Sequence, residues 1–260
     1  MSALRDRSRR RAPPLPRRGP RAPLAPDALR ARLVQQPGRL GAAGARLLPP
    51  PPRRADRSSR TRRLRGPRGG YRLRTFASDV EAVARQLDLD RALLVGHSMG
   101  GGVVLELARR ASALAAGVVM VDGIVGHGRP ARGLDDHPAI RCLAGDGYGA
   151  EIERRYRAFF RPSVSAELVE RVVASAIRTP QHAALGSIRA IYRDDVQAAG
   201  RRVRAPALYI AASSSRLDAG AIRQLAPTAA FAQVVDSGHF AQLEVPDQIN
   251  EMLRSFMRGL

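Results

Sequence analysis

The sequence predicts an α/β fold with a mostly parallel sheet, and two features of residues 71–260 carry this prediction. Short aliphatic runs recur along this part of the chain, which is typical of strands covered on both faces. Stretches with apolar residues at helical spacing separate these runs. Because strands and helices alternate, we expect parallel strands joined by crossover helices.

The predicted elements follow one another from Tyr71 to the C-terminus. A first helix carries apolar residues from Phe76 to Leu87, with Ser78 as its candidate cap. A second helix is predicted over residues 103–110, and a last one over 246–257, which starts at a proline. Strands are predicted over residues 92–95, 117–121, 207–211 and 231–235.

Residues 124–204 interrupt this alternation. Amphipathic helices are predicted there over residues 152–160, 166–177 and 183–192, with no clear strand among them. We expect such a helical insertion to lie above the strand ends as a lid. Its apolar residues, such as Phe159, Phe160 and Ile191, are expected to set the size of the substrate.

Residues 1–70 have a different composition from residues 71–260 and are treated as a separate segment. They contain 20 Arg against three acidic residues, which is +17 of the total charge of +21. Twelve of the 19 prolines also lie there, and proline interrupts helices and central strands. The segment shows no element that could build a core, so we expect it to be disordered.

Three interpretations of residues 1–70 remain open. Translation in the wrong frame of a G/C-rich gene explains the abundant Arg, Pro, Ala and Gly and the abrupt change near Tyr71, and we favour it. A disordered tail is the second interpretation. The third is an Arg-rich arm that binds nucleic acid, against which stands the scarcity of aromatic residues that could stack on bases.

Composition excludes several classes of protein. No window approaches the run of about 18 apolar residues that a membrane span needs, and the basic N-terminus lacks the apolar core of a signal peptide. Cys142 is the only cysteine, which excludes an intramolecular disulfide. The sequence therefore predicts a cytoplasmic protein without membrane segments, and it carries no signal for an oligomeric state.

The segment Gly96-His97-Ser98-Met99-Gly100 is the central chemical motif. The pattern G-x-S-x-G places a serine on a sharp turn between a strand and a helix, where larger residues than glycine would collide. Here the motif follows a predicted strand and precedes a predicted helix, so Ser98 is the candidate nucleophile rather than part of an ordinary turn.

A serine hydroxyl needs a neighbouring imidazole to take its proton. Among five histidines, His239 directly follows the predicted strand over 231–235, which brings it to the same sheet edge as Ser98. His97 is expected to point away and to pack in the turn. The remaining histidines are expected to face solvent in the lid, and no pair has convincing metal-ligand spacing: His127, His137 and His182.

Residues 71–260 resemble the C-terminal two-thirds of the α/β-hydrolase superfamily of esterases, lipases and carbon–carbon bond hydrolases. The matching stretches are Leu94 to Gly101, Gly117 to Asp122, and Asp236 to Phe240 followed by Leu243 to Pro246. The resemblance implies a catalytic order of serine, acid and histidine, a small-molecule substrate, and no metal or organic cofactor.

The acid departs from the pattern of the superfamily. Its usual position, in the loop after the strand over 207–211, holds Ser215. Asp122 closes the strand after the nucleophile helix, a position that some lipases of the superfamily use for the acid, and we favour it. Asp218, three residues beyond the usual position, is the alternative acid.

The oxyanion hole also departs from the pattern. No apolar run ending in His-Gly precedes residue 96, so the backbone N–H of Met99 is the only donor in view, and the strands that normally precede the nucleophile strand are missing or replaced. The sequence predicts a serine hydrolase for an ester, thioester or similar carbonyl substrate. The alternatives are a non-catalytic hydrolase remnant and, more weakly, nucleic-acid binding through residues 1–70.

Overall fold

Five strands form one sheet in the order β1-β2-β3-β4-β5. The computed structural model describes residues 70–126 and 133–260, together with the backbone of residues 32–35. Strand β1 is antiparallel to β2, and the other four strands are parallel to one another. The strands are β1 (Arg32–Gln35), β2 (Ala92–His97), β3 (Ala115–Val121), β4 (Ala207–Ala211) and β5 (Ala229–Gln233).

Strand β1 lies in residues 1–70, where the sequence showed no element that could build a core. Its backbone pairs with β2, with Arg32 opposite Val95 and Gln35 opposite Ala92. An open strand edge presents unpaired N–H and C=O groups, and a short segment can satisfy them without contributing to an apolar core. The predicted disorder of the rest of residues 1–70 lies outside the described residues.

The central strands are buried, as their aliphatic runs predict. Strands β3 and β4 are buried along their whole length, and β2 is buried for its first five residues. Strand β5 begins two residues before the predicted Phe231 and ends at Gln233, opposite the end of β4 at Ala211. Val235, predicted to be in this strand, is 69% exposed, because the chain leaves the sheet before reaching it.

Ten α-helices are present in the described residues. They are α1 (Leu73–Gln86), α2 (Met99–Arg110), α3 (Pro138–Ala144), α4 (Tyr148–Ala158), α5 (Ala166–Ile177), α6 (Gln181–Arg193), α7 (Val196–Gly200), α8 (Ala219–Leu225), α9 (Ala241–Glu244) and α10 (Pro246–Arg258). Helices α1, α2, α7 and α8 cover one face of the sheet, and α10 covers the other. None of these helices is long and apolar enough to cross a membrane.

Helix α1 begins before its predicted cap. Ser78 lies inside the helix, where its hydroxyl donates to the carbonyl of Arg74 at 2.9 Å. The first turn is capped instead by Asp194, whose carboxylate accepts from the backbone N–H of Leu73 at 2.6 Å and pairs with Arg72. A distant carboxylate thus takes the capping role that sequence spacing assigned to a local serine.

Helices α3 to α7 occupy the chain between β3 and β4, and no strand occurs in residues 133–204. We call residues 133–193, which hold α3 to α6, the lid. Its inner face holds two small apolar clusters. One is built around Leu143, Ile152 and Ala176, and the other joins Phe160 and Val172 to Phe240 next to the predicted base.

Candidate active site

Ser98 lies on a strained turn between β2 and α2. Its φ is 51° and its ψ is −120°, a conformation that non-glycine residues rarely adopt. A Cβ atom at Gly96 would come within 2.1 Å of the carbonyl oxygen of Gly100, so only glycine allows this close approach of the backbone. The turn therefore exposes the Ser98 side chain at the carboxyl end of the sheet.

Two backbone hydrogen bonds hold this turn against the end of β3. The N–H of Ser98 donates to the carbonyl of Val121 at 3.1 Å, and the N–H of Ile124 donates to the carbonyl of Ser98 at 3.1 Å. Asp122 lies between these two contacts and has a φ of 42°. The ends of neighbouring strands thus bring Ser98 and Asp122 to the same edge.

His239 and Asp122 form a direct hydrogen bond. The Nδ1 atom of His239 is 2.6 Å from Oδ2 of Asp122, and the two side chains are only 21% and 16% exposed. The second oxygen of Asp122 accepts from the backbone N–H of Ala212 at 3.2 Å. With Nδ1–H donated to the carboxylate, Nε2 is the ring nitrogen left to accept a proton.

Asp218 lies away from this pair. Its side chain is exposed, and its Oδ1 accepts from the backbone N–H of Ala221 at 2.8 Å as the cap of α8. Ser215, at the usual position of the acid, accepts from the N–H of Leu217 at 3.3 Å. The structure therefore brings Asp122, and not Asp218, to His239.

His97 does not point away from the site, contrary to the sequence expectation. Its Nε2 is 2.7 Å from the carbonyl oxygen of His239, and the centres of the two rings are 4.6 Å apart. Burial, together with the nearby His239, lowers the pKa of His97 to about 3, so the ring is neutral and Nε2–H donates to that carbonyl. The contact between His97 and the His239 carbonyl depends on the side-chain rotamer of His97, which the sequence does not specify. The position of His97 next to Ser98 was the only indication of it in the sequence.

A cavity of about 190 Å³ lies between the strand ends and the lid. Ser98, Met99, His97 and His239 line its floor. The lid supplies an apolar wall that includes Leu143, Tyr148, Ile152, Phe159, Ile188 and Ile191. Arg155 of α4 also lines the cavity. A concave, mostly apolar cavity with a few convergent polar groups is typical of a small-molecule site.

Comparison with known families identifies the fold. A family model described as the alpha/beta hydrolase family matches residues 10–252. This chain belongs to the alpha/beta hydrolase family. The match begins well before Tyr71, so it extends into the segment that the sequence resemblance had set apart.

Individual relatives are distant from this alpha/beta hydrolase. The AB hydrolase superfamily protein YisY of Bacillus subtilis (strain 168) is 23% identical over 199 residues, which cover 72% of this chain and 74% of that protein. A protein of the non-heme haloperoxidase type from Mycobacterium phage D29 is 38% identical over 80 residues, but these cover only 25% of this chain and 28% of the phage protein. The structure of an esterase from Exiguobacterium antarcticum superposes with a TM-score of 0.66 at 19% identity, covering 74% of this chain and 76% of the esterase.

Met99 is the first residue of α2 in this alpha/beta hydrolase. The N–H groups of a first helical turn have no partner within the helix, so the Met99 N–H, next to Ser98, is not used by α2. In the described residues the Ser98 hydroxyl is not hydrogen-bonded to His239, a contact that often tightens only when substrate binds.

The loop that carries the predicted base is fastened to the lid. The N–H of His239 donates to the carbonyl of Phe159 at 2.8 Å. Glu244 accepts from the N–H of Gly238 at 2.9 Å and from the N–H of Arg161 at 3.4 Å, and Arg161 pairs with Asp236. The sequence analysis missed this role of Glu244, whose only signal was its place in the stretch Leu243 to Pro246.

His137 and His182, two of the predicted lid histidines, do not line the cavity. His137 accepts from the N–H of Ala139 at 3.2 Å as the cap of α3, and its ring packs on Tyr192. His182 is exposed, as expected, and its ring meets the edge of Tyr71. His127 lies outside the described residues.

Proposed function

We propose that this alpha/beta hydrolase cleaves an ester, thioester or similar carbonyl substrate through Ser98, His239 and Asp122. The hydrogen bond of 2.6 Å between His239 and Asp122, beside the strained turn of Ser98, is the observation that carries the proposal. A carboxylate on Nδ1 fixes the tautomer in which Nε2 can act as a base. The esterase fold of the Exiguobacterium antarcticum neighbour agrees with this class of substrate.

In the proposed reaction, the Ser98 oxygen attacks the substrate carbonyl carbon while Nε2 of His239 takes the hydroxyl proton. The charge that develops on the carbonyl oxygen is stabilised by the N–H of Met99. The imidazolium, stabilised by Asp122, then protonates the leaving alcohol or thiol. Water, activated by the neutral His239, hydrolyses the acyl-serine and releases a carboxylic acid.

Asp122 serves in this proposal as the acid, although it follows β3 rather than β4. Its support is twofold: one oxygen contacts the imidazole, and the other is held by the N–H of Ala212. A carboxylate fixed at both oxygens orients the ring without a conformational adjustment. The loop after β4, where Ser215 stands, then needs no acid.

The size of the cavity favours a small-molecule substrate over a macromolecular one. An engineered cavity of about 150 Å³ holds benzene, so a cavity of about 190 Å³ fits an acyl group of short to medium length.

We also propose that the protein acts in the cytoplasm, since its only cysteine, Cys142, is an exposed free thiol, which is stable in a reducing compartment.

The deciding experiment is covalent labelling of the full 260-residue chain with a fluorophosphonate probe, beside a Ser98→Ala variant. We expect the wild type to be labelled, the label to map to Ser98 by mass spectrometry, and the variant to remain unlabelled. Absence of labelling in folded wild-type protein would contradict the proposal and favour the non-catalytic remnant. Label on another residue would reject Ser98 as the nucleophile.

A further inference from the structure

Among the described residues of the lid, Arg155 is the only one with a charged side chain on the cavity wall. The other described lid residues that line the cavity have apolar or hydroxyl-bearing side chains, and none of them is an aspartate or a glutamate. A guanidinium is costly to hold against apolar surface unless its N–H groups have partners. Its presence in a cavity that otherwise suits an apolar acyl chain needs a reason.

Arg155 has only one of its donors engaged in the described residues. Its Nε is 2.5 Å from Oε1 of Glu151, and its side chain is 25% exposed. Its two terminal nitrogens have no hydrogen-bond partner there. A guanidinium carries five N–H donors in a planar fork, so four of them remain for a ligand.

Glu151 does not neutralise Arg155, because it also pairs with Arg154. Arg154 contacts both oxygens of Glu151 at 2.9 Å and lies outside the cavity wall. The two arginines hold the pKa of Glu151 down to about 2, so its carboxylate stays ionised. Two positive charges thus share one negative charge, which leaves a net charge of +1 on the group formed by Arg154, Arg155 and Glu151.

We propose that Arg155 binds a carboxylate of the substrate, so that the enzyme acts on small esters or lactones that carry an acid group remote from the reacting carbonyl. The inference rests on the proposed function for the reacting end of the substrate. Arg155 lies on α4 in the lid, whereas Ser98 and His239 lie at the strand ends below it. A carboxylate paired with Arg155 would fix the free end of the acyl group, and the apolar wall would cover the methylene groups between the two ends.

The test compares two esters with acyl chains of equal length, 4-nitrophenyl hydrogen adipate and 4-nitrophenyl hexanoate. In Arg155→Met, we expect kcat/KM for the adipate ester to fall by roughly ten- to a hundred-fold, mostly through KM, because a charge-assisted pair is lost. Activity on the hexanoate ester should stay within about threefold of wild type. Arg154→Met is the matched control, since it removes the other partner of Glu151 but no cavity contact, and it should leave the ratio of the two esters unchanged.

A binding measurement separates this inference from the proposed function. Methyl hydrogen adipate and methyl hexanoate are titrated into Ser98→Ala by calorimetry, with and without Arg155→Gln as a second change. If wild type cleaves both esters and Arg155→Met does not alter their ratio, the carboxylate site is rejected and the hydrolase stands. If neither ester is cleaved but binding of methyl hydrogen adipate is lost with Arg155→Gln, the hydrolase proposal fails and the carboxylate site stands. Binding that does not depend on Arg155 overturns the inference.

Discussion

The strand ends and the lid meet at one cavity, but they are built in different ways. At the strand ends, Ser98 and Asp122 both have positive φ and are held by backbone hydrogen bonds from neighbouring strands. In the lid, regular helices carry exposed ion pairs such as those of Arg157 with Glu153 and Glu170. We infer that the residues proposed for the chemistry lie where few substitutions are tolerated, because the backbone at the strand ends is strained and hydrogen-bonded. The lid, which we propose sets specificity, can be substituted with little loss of stability, because its exposed ion pairs contribute little.

The largest expected effect concerns the acid at the strand end. In Asp122→Asn, the geometry is retained but the charge that stabilises the imidazolium is lost, so we expect kcat to fall by about ten-thousand-fold. Steady-state rates on a 4-nitrophenyl ester measure this directly. The loss would show that the strand edge, and not the loop after β4, supplies the acid.

Asp218→Asn is the matched control for this prediction. Asn is also a good helix cap, so the first turn of α8 should persist, and kcat should remain within about threefold of wild type. A larger loss in Asp218→Asn than in Asp122→Asn would reverse the assignment of the acid. Losses below about tenfold in both variants would remove the acid from the proposed mechanism.

The second prediction contrasts a glycine from each region. A methyl group at Gly96 would meet backbone atoms of Gly100 at 2.1 Å, whereas one at Gly149, in helix α4 of the lid, would meet no atom within 4 Å. We expect Gly96→Ala to lower the free energy of unfolding by about 3 kcal/mol or more, because the backbone must shift. Gly149→Ala should raise it by up to about 1 kcal/mol, because alanine favours a helix.

Urea unfolding of both variants, followed by circular dichroism, measures the contrast. Equal destabilisation in the two variants would show that the lid is as intolerant as the strand edge. A stable Gly96→Ala protein that keeps its activity would show that the turn at Ser98 can relax, and the comparison between a rigid edge and a tolerant lid would then fail.

The sequence was sufficient for the parts of the site that follow strand ends. Ser98 and His239 could be singled out because a motif and a preceding strand fix where each lies along the sheet. The choice between Asp122 and Asp218 could not be closed, because spacing along the chain does not say which strand end faces an imidazole. The hydrogen bond of 2.6 Å in the structure favours Asp122 on geometric grounds.

Contacts set by side-chain direction could not be predicted. His97 was expected to pack away from the site, but its rotamer brings Nε2 to the carbonyl of His239. Arg155 was overlooked because a charged residue on an amphipathic helix normally faces solvent, and the lid was expected to contribute only apolar faces. Strand β1 was missed because its four residues, Arg32–Gln35, form no apolar run in a segment interrupted by Pro26 and Pro37.

The smallest effect distinguishes the two regions by their response to acid. Burial lowers the pKa of His97 at the strand end to about 3, below its ordinary value of 6.5, and pairing with Arg154 and Arg155 lowers the pKa of Glu151 in the lid to about 2, below 4.5. In both cases the unfolded chain binds the proton first. The contribution of each group to the free energy of unfolding is therefore complete above its unfolded pKa and is lost as pH falls below that value. For His97 this loss begins at pH 6.5 and continues towards pH 3, whereas for Glu151 it begins only below pH 4.5.

Between pH 6.5 and 4.5, His97 at the strand end should therefore lower the free energy of unfolding, whereas Glu151 in the lid should not. We expect His97 to contribute a slope of up to about 1.4 kcal/mol per pH unit in the free energy of unfolding. His97→Gln keeps a donor at the position of Nε2 for the carbonyl of His239 but cannot titrate, so its stability should fall less steeply than that of wild type in urea titrations at pH 6.5, 5.5 and 4.5. If the free energy of unfolding falls equally with pH in the two proteins, His97 takes up a proton as readily in the folded chain as in the unfolded chain. The strand end would then be no more closed to solvent than the lid.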